Sequence, residues 1–165
     1  MNRIESTAII ERGALLGNNC YIGHFTVIRP DVFIDDYSEI RAHCFVAQGA
    51  RIGKHVHVMQ FSNICRNCII EDKVFIGMGL ITTNTRKIAY LRDYDDICEA
   101  PYIEYGVRIG AHVTILPGVR VANNCLIGAG SVLTKSTEPY GIYIGVPAKR
   151  VGDVPEDQIL KETSS

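Results

Sequence analysis

Every sixth residue of this chain is aliphatic over its first half. From Ile4 the series runs Ile10, Leu16, Ile22, Ile28, Ile34, Ile40, Val46, Ile52, Val58, Ile64, Ile70 and Ile76. Isoleucine, leucine and valine fill 44 of the 165 positions, so thirteen hits in one register have a chance probability on the order of 10⁻⁸. The series resumes with Ile103, Ile109, Ile115, Val121, Ile127 and Leu133. A second phase, two residues earlier, holds Ala8, Ala14, Cys20, Thr26, Val32, Ser38, Cys44, Ala50, Val56, Ser62, Cys68 and Val74, then Val107, Val113, Val119, Cys125 and Ser131. All of these are small or valine. A period of six belongs neither to an α-helix nor to an ordinary strand. It suits short strands separated by turns, one aliphatic pointing inward from each. Three such strands close a triangular coil of 18 residues, and stacked coils pair as parallel strands around a continuous core. About six coils at ~4.8 Å per rung predict a prism roughly 30 Å tall. Glycine follows the inward aliphatic at Gly17, Gly23, Gly53, Gly77, Gly110 and Gly128, where a tight turn is expected to favour it.

The residue before each inward aliphatic should face outward, and every 18 residues it returns to the same side. One outward column is Ile9, Val27, Phe45, Asn63, Ile81; another is Leu15, Phe33, Arg51, Ile69; the third is Arg3, Tyr21, Glu39, His57, Phe75. An exposed column with four apolar members is a contact surface, and a three-sided prism with one apolar face suits a closed homotrimer. The repeat breaks once, between Ile76 and Ile103. If Thr82 takes the next inward slot, fifteen residues are looped out, giving an extruded loop over about 83–100. Its Tyr90, Leu91 and Tyr94 suggest an ordered arm that reaches a neighbouring subunit. Pro155 and the run 156–162 read as a short C-terminal helix. The expected organisation is therefore a β-helix domain over 1–154 and a helix or tail over 155–165.

Composition narrows the function. The 17 Lys+Arg and 18 Asp+Glu leave a formal net charge of −1 with no basic block, which argues against nucleic acid as the main partner. No basic segment followed by an apolar run opens the chain, and no stretch of 18 apolar residues exists, so a soluble, cytoplasmic protein without a membrane partner is expected. Cys20, Cys44, Cys68 and Cys125 fall in the small inward phase. Cys65 stands near Cys68, but no second pair completes a zinc spacing, and free thiols in a reducing compartment are expected.

The pattern [LIV]-[Gly/polar]-x-x-[small]-x, kept over nearly the whole chain, resembles that of the hexapeptide-repeat acyltransferases. The resemblance implies a left-handed parallel β-helix, acetyl-CoA as cosubstrate and a trimer. The segment IEDKVFIGMGLITTN at 70–84 is similar to the "ED-x-VF-x-G…TN" segment of bacterial nucleotide-sugar N-acetyltransferases. Those enzymes acetylate an amino group on a UDP- or dTDP-linked amino sugar, usually at C3. The strings IGAGSVLTK at 127–135 and GVPAK at 145–149 are shared across the superfamily and identify no acceptor. The chain departs from the nucleotide-sugar enzymes where Arg86-Lys87-Ile88 replaces their usual Pro-Arg after the Asn.

What the resemblance implies about the site is specific. Asn84 would be the catalytic group, with Thr83 and Arg86 binding substrate. Coenzyme A would lie between neighbouring prisms, its pantetheine along the backbone near Gly110, Ala129 and Gly130, its phosphates at Lys135, Lys149 and Arg150. Many O-acyltransferases of this fold carry a loop histidine to deprotonate an alcohol. No histidine occurs between His57 and His112, and Arg66-Asn67-Cys68 stands where a related pattern has His-Asp/Glu-Cys. A neutral amine needs no such base, so Asn84 could orient it while a backbone N–H holds the thioester oxygen. An O- or N-acetyltransferase for another small acceptor, or a non-catalytic solenoid, remains open. The γ-carbonic anhydrases share the fold, but their closely spaced zinc histidines have no counterpart, and no metal is expected.

Overall fold

The computed structural model describes residues 1–93 and 97–161, and the six-residue period is realised in them rung by rung. Twenty two-residue strands run from Arg3–Ile4 to Val132–Leu133, each an outward residue followed by the inward one. Pairing is parallel and advances by one coil: Arg3 with Tyr21, Ile9 with Val27, Leu15 with Phe33. Three sheets result. We call them the first, second and third faces, in the order the chain first visits them, and the turns after each face the first, second and third corners. The three outward columns expected from the sequence are the observed registers, and the second face continues Ile9, Val27, Phe45, Asn63, Ile81 with Thr114 and Val132.

The stack is taller than six coils. Its faces hold eight, seven and six parallel rungs. Twenty strands exceed six full coils by two, and Gly141–Gly145, outside the period, adds an eighth rung to the first face. That strand folds back into the antiparallel Ala148–Asp153. In place of a helix over 156–162 there is one 3-10 turn at Glu156–Gln158, with none of its residues buried. The segment has no apolar stripe to hold a longer helix against the body. The tail is tied down by polar bonds instead: Leu160 N donates to Asn124 Oδ1 at 2.8 Å, Asn124 Nδ2 donates to Leu160 O at 3.2 Å, and the Tyr105 hydroxyl donates to Lys161 O at 3.0 Å. Residue 162 lies outside the described part. Among the described residues no helix is long and apolar enough to cross a membrane.

The core is a column of aliphatics, Ile22, Ile28, Ile34, Ile40, Ile52, Ile64, Ile70 and Ile76 among them, all essentially without solvent contact. Hydroxyls in the small slot are satisfied by neighbouring coils. Ser38 Oγ donates to Gly53 O at 2.6 Å and accepts from Val56 N at 2.9 Å. Thr26 Oγ1 donates to Arg41 O at 2.6 Å and accepts from Cys44 N at 3.2 Å. These bonds remove the penalty of burying an unpaired polar group. At the last rung before the interruption the sizes invert: Leu80 fills the small slot and Thr82 the aliphatic one. Volume is conserved, and Thr82 Oγ1 is engaged, donating to Asn63 O at 3.1 Å and accepting from Cys65 N at 2.7 Å.

The turns correct one expectation. The glycines after the inward aliphatic are not at positive φ; they are small because the next coil passes directly over them. A Cβ on Gly77 would lie 2.7 Å from both Ala111 N and Gly110 C. The left-handed residue of each turn stands just before the small slot, as at Asn19, Phe25, Asp31, Tyr37, His43, His55, Phe61 and Asn67, with φ between 54° and 61°. At most of them the N–H donates to a carbonyl nineteen positions earlier, for example Tyr37 to Asn18 at 2.8 Å and His43 to His24 at 2.9 Å, whereas Phe25 N donates to Thr7 Oγ1 at 3.1 Å. Aromatic residues rarely take this conformation. Here their rings stack along the corner, with centroids 5.0 Å apart for Phe25–His43, 5.2 Å for His43–Phe61 and 4.9 Å for Tyr37–His55. Such stacking offsets part of the backbone cost.

Candidate active site

The arm leaves the second corner. On the third face Ile69 pairs with Tyr102, 33 positions on, where other rungs step 18; the insertion is the expected fifteen residues. At its neck, Thr85 and Cys98 form an antiparallel bridge and Glu99 N donates to Asn84 O at 2.7 Å. Beyond the neck, Ile88, Tyr90, Leu91 and Ile97 are exposed, Leu91 almost completely at 93%. Tyr94 lies outside the described residues.

Asn84 sits where the corner ladder is interrupted. At an ordinary turn the Arg66 carbonyl would receive the backbone N–H of a left-handed residue one coil above. Asn84 Nδ2 takes that role, donating to Arg66 O at 3.3 Å. Only the nitrogen end of the amide can face a carbonyl, so Oδ1 is turned away, with a long 3.4 Å bond from Thr85 Oγ1. Asn84, half-buried, thus has a structural duty, with its oxygen directed away from the Arg66 carbonyl. Thr83 is turned into the coil, its N and Oγ1 both donating to Ile115 O, at 3.0 and 3.2 Å. Arg86 is engaged within its own chain: Nε and Nη2 donate to Glu99 Oε2 at 2.9 and 2.5 Å, and Nη2 to Pro117 O at 3.4 Å.

The same corner holds a thiol pair. Cys65 and Cys68 are both buried and bracket one turn, Cys68 N donating to Cys65 O at 3.2 Å. The Cys68 thiol hydrogen-bonds the Cys65 sulfur, which holds Cys65 below the ordinary thiol range and, with burial, pushes Cys68 well above it. Their nearness in sequence was visible; the sharing of a hydrogen bond was not. None of the five histidines is here. His24, His43 and His112 lie at the first corner, His55 at the third, and His57 on the first face near Glu39.

The residues expected to hold coenzyme A divide into two groups. Gly110, Ala129 and Gly130 converge at the first corner, one coil apart: a Cβ on Gly110 would meet Ala129 N at 2.6 Å. The amides of Gly110 and Gly130 are taken, donating to Ile127 O and Ala111 O, each at 2.8 Å. Those of Ala111 and Ala129 have no acceptor among the described residues, a property they share with the same turn position lower on this corner, at His24, Ala42, Gln60 and Met78. Above them Lys149 pairs across the terminal hairpin with Ile144, whose side chain covers Gly128. Arg150 pairs instead with Tyr143, and its guanidinium is bound by Asp153 Oδ1 at 3.1 and 2.5 Å. Lys135 is exposed after Val132–Leu133, at the second corner. The second face therefore lies between the arm neck and the Gly110–Ala129 corner. A shallow depression of about 360 Å³ beneath the tail, lined by Asn123, Asn124, Tyr140 and Leu160, is at the third corner and away from both. Among the described residues no group of three or more His, Cys, Asp or Glu is placed to hold a metal.

Comparison with known proteins agrees with this architecture. Residues 3–48 and 101–135 match the family model described as bacterial transferase hexapeptide (six repeats). The bifunctional protein GlmU of Thermotoga petrophila is 27% identical over 191 residues, covering 96% of this chain; the chain spans 40% of the length of that relative. Among solved structures, a hexapeptide-repeat acetyltransferase of Vibrio cholerae in complex with acetyl coenzyme A superposes with a TM-score of 0.62 at 25% identity, over 87% of this chain and 72% of that one. AntD, an N-acyltransferase from Bacillus cereus in complex with dTDP and 3-hydroxybutyryl-CoA, shares the fold with a TM-score of 0.57 at 19% identity, over 93% of this chain and 80% of that one. In its repeat, its three-faced parallel β-helix and these matches, the chain is similar to the hexapeptide-repeat acyltransferases.

Proposed function

We propose that the protein transfers an acetyl group from acetyl-CoA to the amino group of a nucleotide-linked amino sugar, and that it does so as a homotrimer. The observation that carries the mechanism is the amide of Asn84, anchored through Nδ2 on Arg66 O so that Oδ1 is directed away from that carbonyl. An amide oxygen is no base at neutral pH, but it can accept a hydrogen bond from a neutral amine and aim its lone pair. The amine attacks the thioester carbonyl while a backbone N–H, from Ala111 or Ala129, stabilises the oxyanion. The C–N bond forms, the C–S bond breaks, and the surplus amine proton passes to the departing thiolate. Catalysis then rests on positioning rather than on proton abstraction.

The layout supports the trimer. Within one chain the two halves of the site are an edge of the prism apart, on the order of 15–20 Å for six residues of extended chain. An arm neck from one subunit and a Gly110–Ala129 corner from the next, brought together across apolar second faces, would complete it. The acetyl-CoA in the Vibrio cholerae relative supports the acyl donor. AntD, which shares the fold, is in complex with dTDP, and the 70–84 segment favours an amino-sugar acceptor; both support a nucleotide-linked acceptor. All six thiols are free, which suits a reducing, cytoplasmic setting.

A pH–rate series tests the reading, with acetyl-CoA and UDP- or dTDP-linked 3-amino sugars. Asn84→Ala should lower kcat/KM tenfold to a hundredfold, on the order of 1.4–2.7 kcal/mol. Activity should rise with pH and level off at the acceptor's own pKa, and His55→Asn, His57→Asn and His112→Asn should leave that inflection in place. An inflection that vanishes in one of these histidine variants would overturn the base-free mechanism.

A further inference from the structure

Glu99 repairs the coil that the arm interrupts. Its carbonyl accepts from Gly118 N at 2.8 Å, the ladder bond that an unbroken chain would supply from the corner position Asn84 occupies, and its own N–H holds Asn84 O at 2.7 Å. Its carboxylate in turn receives Arg86 Nε and Nη2, while Nη2 also reaches Pro117 O. The two strands of the arm neck, 84–86 and 98–99, are thereby locked to each other and to the coil above. We infer that Arg86 and Glu99 form a positioning clasp that fixes where Asn84 presents its side-chain oxygen. Arg86 is on this account a positioning residue rather than a substrate ligand, its guanidinium held by Glu99 Oε2 and Pro117 O.

The consequence is separable from folding. Side-chain exposures of 62% and 38% for Arg86 and Glu99 mark a pair outside the core, and exposed pairs contribute little to stability. What the clasp controls is geometry at the reacting centre, where small misplacements are costly. The inference rests on Asn84 as the group that orients the acceptor, so its test includes Asn84.

The experiment is a double-mutant cycle read by CoA release from acetyl-CoA, with UDP- or dTDP-3-amino-3-deoxyglucose as acceptor. Glu99→Ala and Arg86→Ala should each lower kcat about tenfold, with KM for acetyl-CoA within twofold of wild type and the melting temperature unchanged. The charge-swapped pair Arg86→Glu with Glu99→Arg should recover most of the loss. Glu99→Ala added to Asn84→Ala should lower kcat no further. Unchanged activity in the Glu99 and Arg86 variants, or losses that multiply with that of Asn84→Ala, would overturn the clasp alone. Wild-type activity in Asn84→Ala would instead remove the reading of Asn84 and the clasp with it. Backbone hydrogen exchange needs no acceptor: Glu99→Ala must speed exchange across 83–87 and the swapped pair must slow it again, and unaltered exchange would also overturn the clasp.

Discussion

Replacing Gly77 with alanine puts a methyl group where the next coil already passes. The added Cβ would lie 2.7 Å from Ala111 N, 2.7 Å from Gly110 C and 3.0 Å from Gly110 O, against the 3.4–4 Å of ordinary contact. All three atoms are backbone, so no side chain can swing aside. The rung above must rise by several tenths of an ångström against the parallel bonds that fix its height, Gly77 N to Ile109 O at 2.8 Å among them. Overpacking of this kind costs about 1–3 kcal/mol, and with rigid neighbours the upper half of that range is expected. Two other glycines calibrate the effect. Gly130 has open space around it but φ of +69°, so alanine there should cost about 1–2 kcal/mol through the backbone alone. Gly152 has neither constraint, and alanine there should be neutral or stabilise by up to about 1 kcal/mol. Guanidinium denaturation at one fixed protein concentration gives the order, since an oligomer's apparent stability depends on concentration. Because the displaced atoms include Gly110, calorimetry should also show weaker acetyl-CoA binding in Gly77→Ala and not in Gly152→Ala. A Gly77→Ala protein within about 0.5 kcal/mol of wild type would refute the close approach, and with it the coil spacing described above.

Two further outcomes are expected. Sedimentation at micromolar concentration should report three chains, and Phe45→Glu, which places a charge in the middle of the second face, should shift the protein towards monomer and abolish activity; a fully active monomer would refute the shared site. Burial raises the Cys44 thiol to about 11, so its reactive thiolate is on the order of a thousandth of the total at pH 8; iodoacetamide should label exposed Cys98 first and Cys44 only after unfolding. The same shift makes stability fall as pH rises from about 9 to about 11, because over that interval the unfolded chain gives up a proton that the folded one keeps.

The period made the solenoid legible because each inward slot meets nearly the same surroundings, so one rule predicts Ile22 and Ile127 alike. The fifteen-residue insertion and the three outward columns followed from counting alone. Residues that leave the period were opaque for the same reason: 141–153 became a hairpin, and 156–161 lacked the apolar stripe that would have made it a helix. Glycine placement could be seen but not its cause, since Gly77 is small to admit a neighbour's backbone and Gly130 is small to reach positive φ. Phe25, Tyr37 and Phe61 in left-handed turns were hidden by their residue types. At the candidate site, Asn84 was visible as a motif residue. Its bond to Arg66 O joins residues one coil apart, and the Arg86–Glu99 pair depends on a chain returning after thirteen residues; no local pattern records either. Gly110 and Gly130 stood out as glycines, whereas the amides left unpaired belong to Ala111 and Ala129, whose side chains gave no sign of it.

The left-handed position of the first corner is occupied, from the bottom of the stack upward, by Phe25, His43, Phe61, Gly79, His112 and Gly130. The fold reads this position only through its backbone angle and its amide, so the side chain is free to vary along the column. In the lower coils the corner is clad in stacked rings. Higher up the cladding thins, until at Gly130 there is no side chain at all and nothing within 4 Å of where one would begin. A single backbone slot thus grades from wall to window, and the window opens at the height where the unpaired amides of Ala111 and Ala129 lie. Moving a ring up this column, by Gly130→Phe, would close the window without touching a single hydrogen bond of the coil.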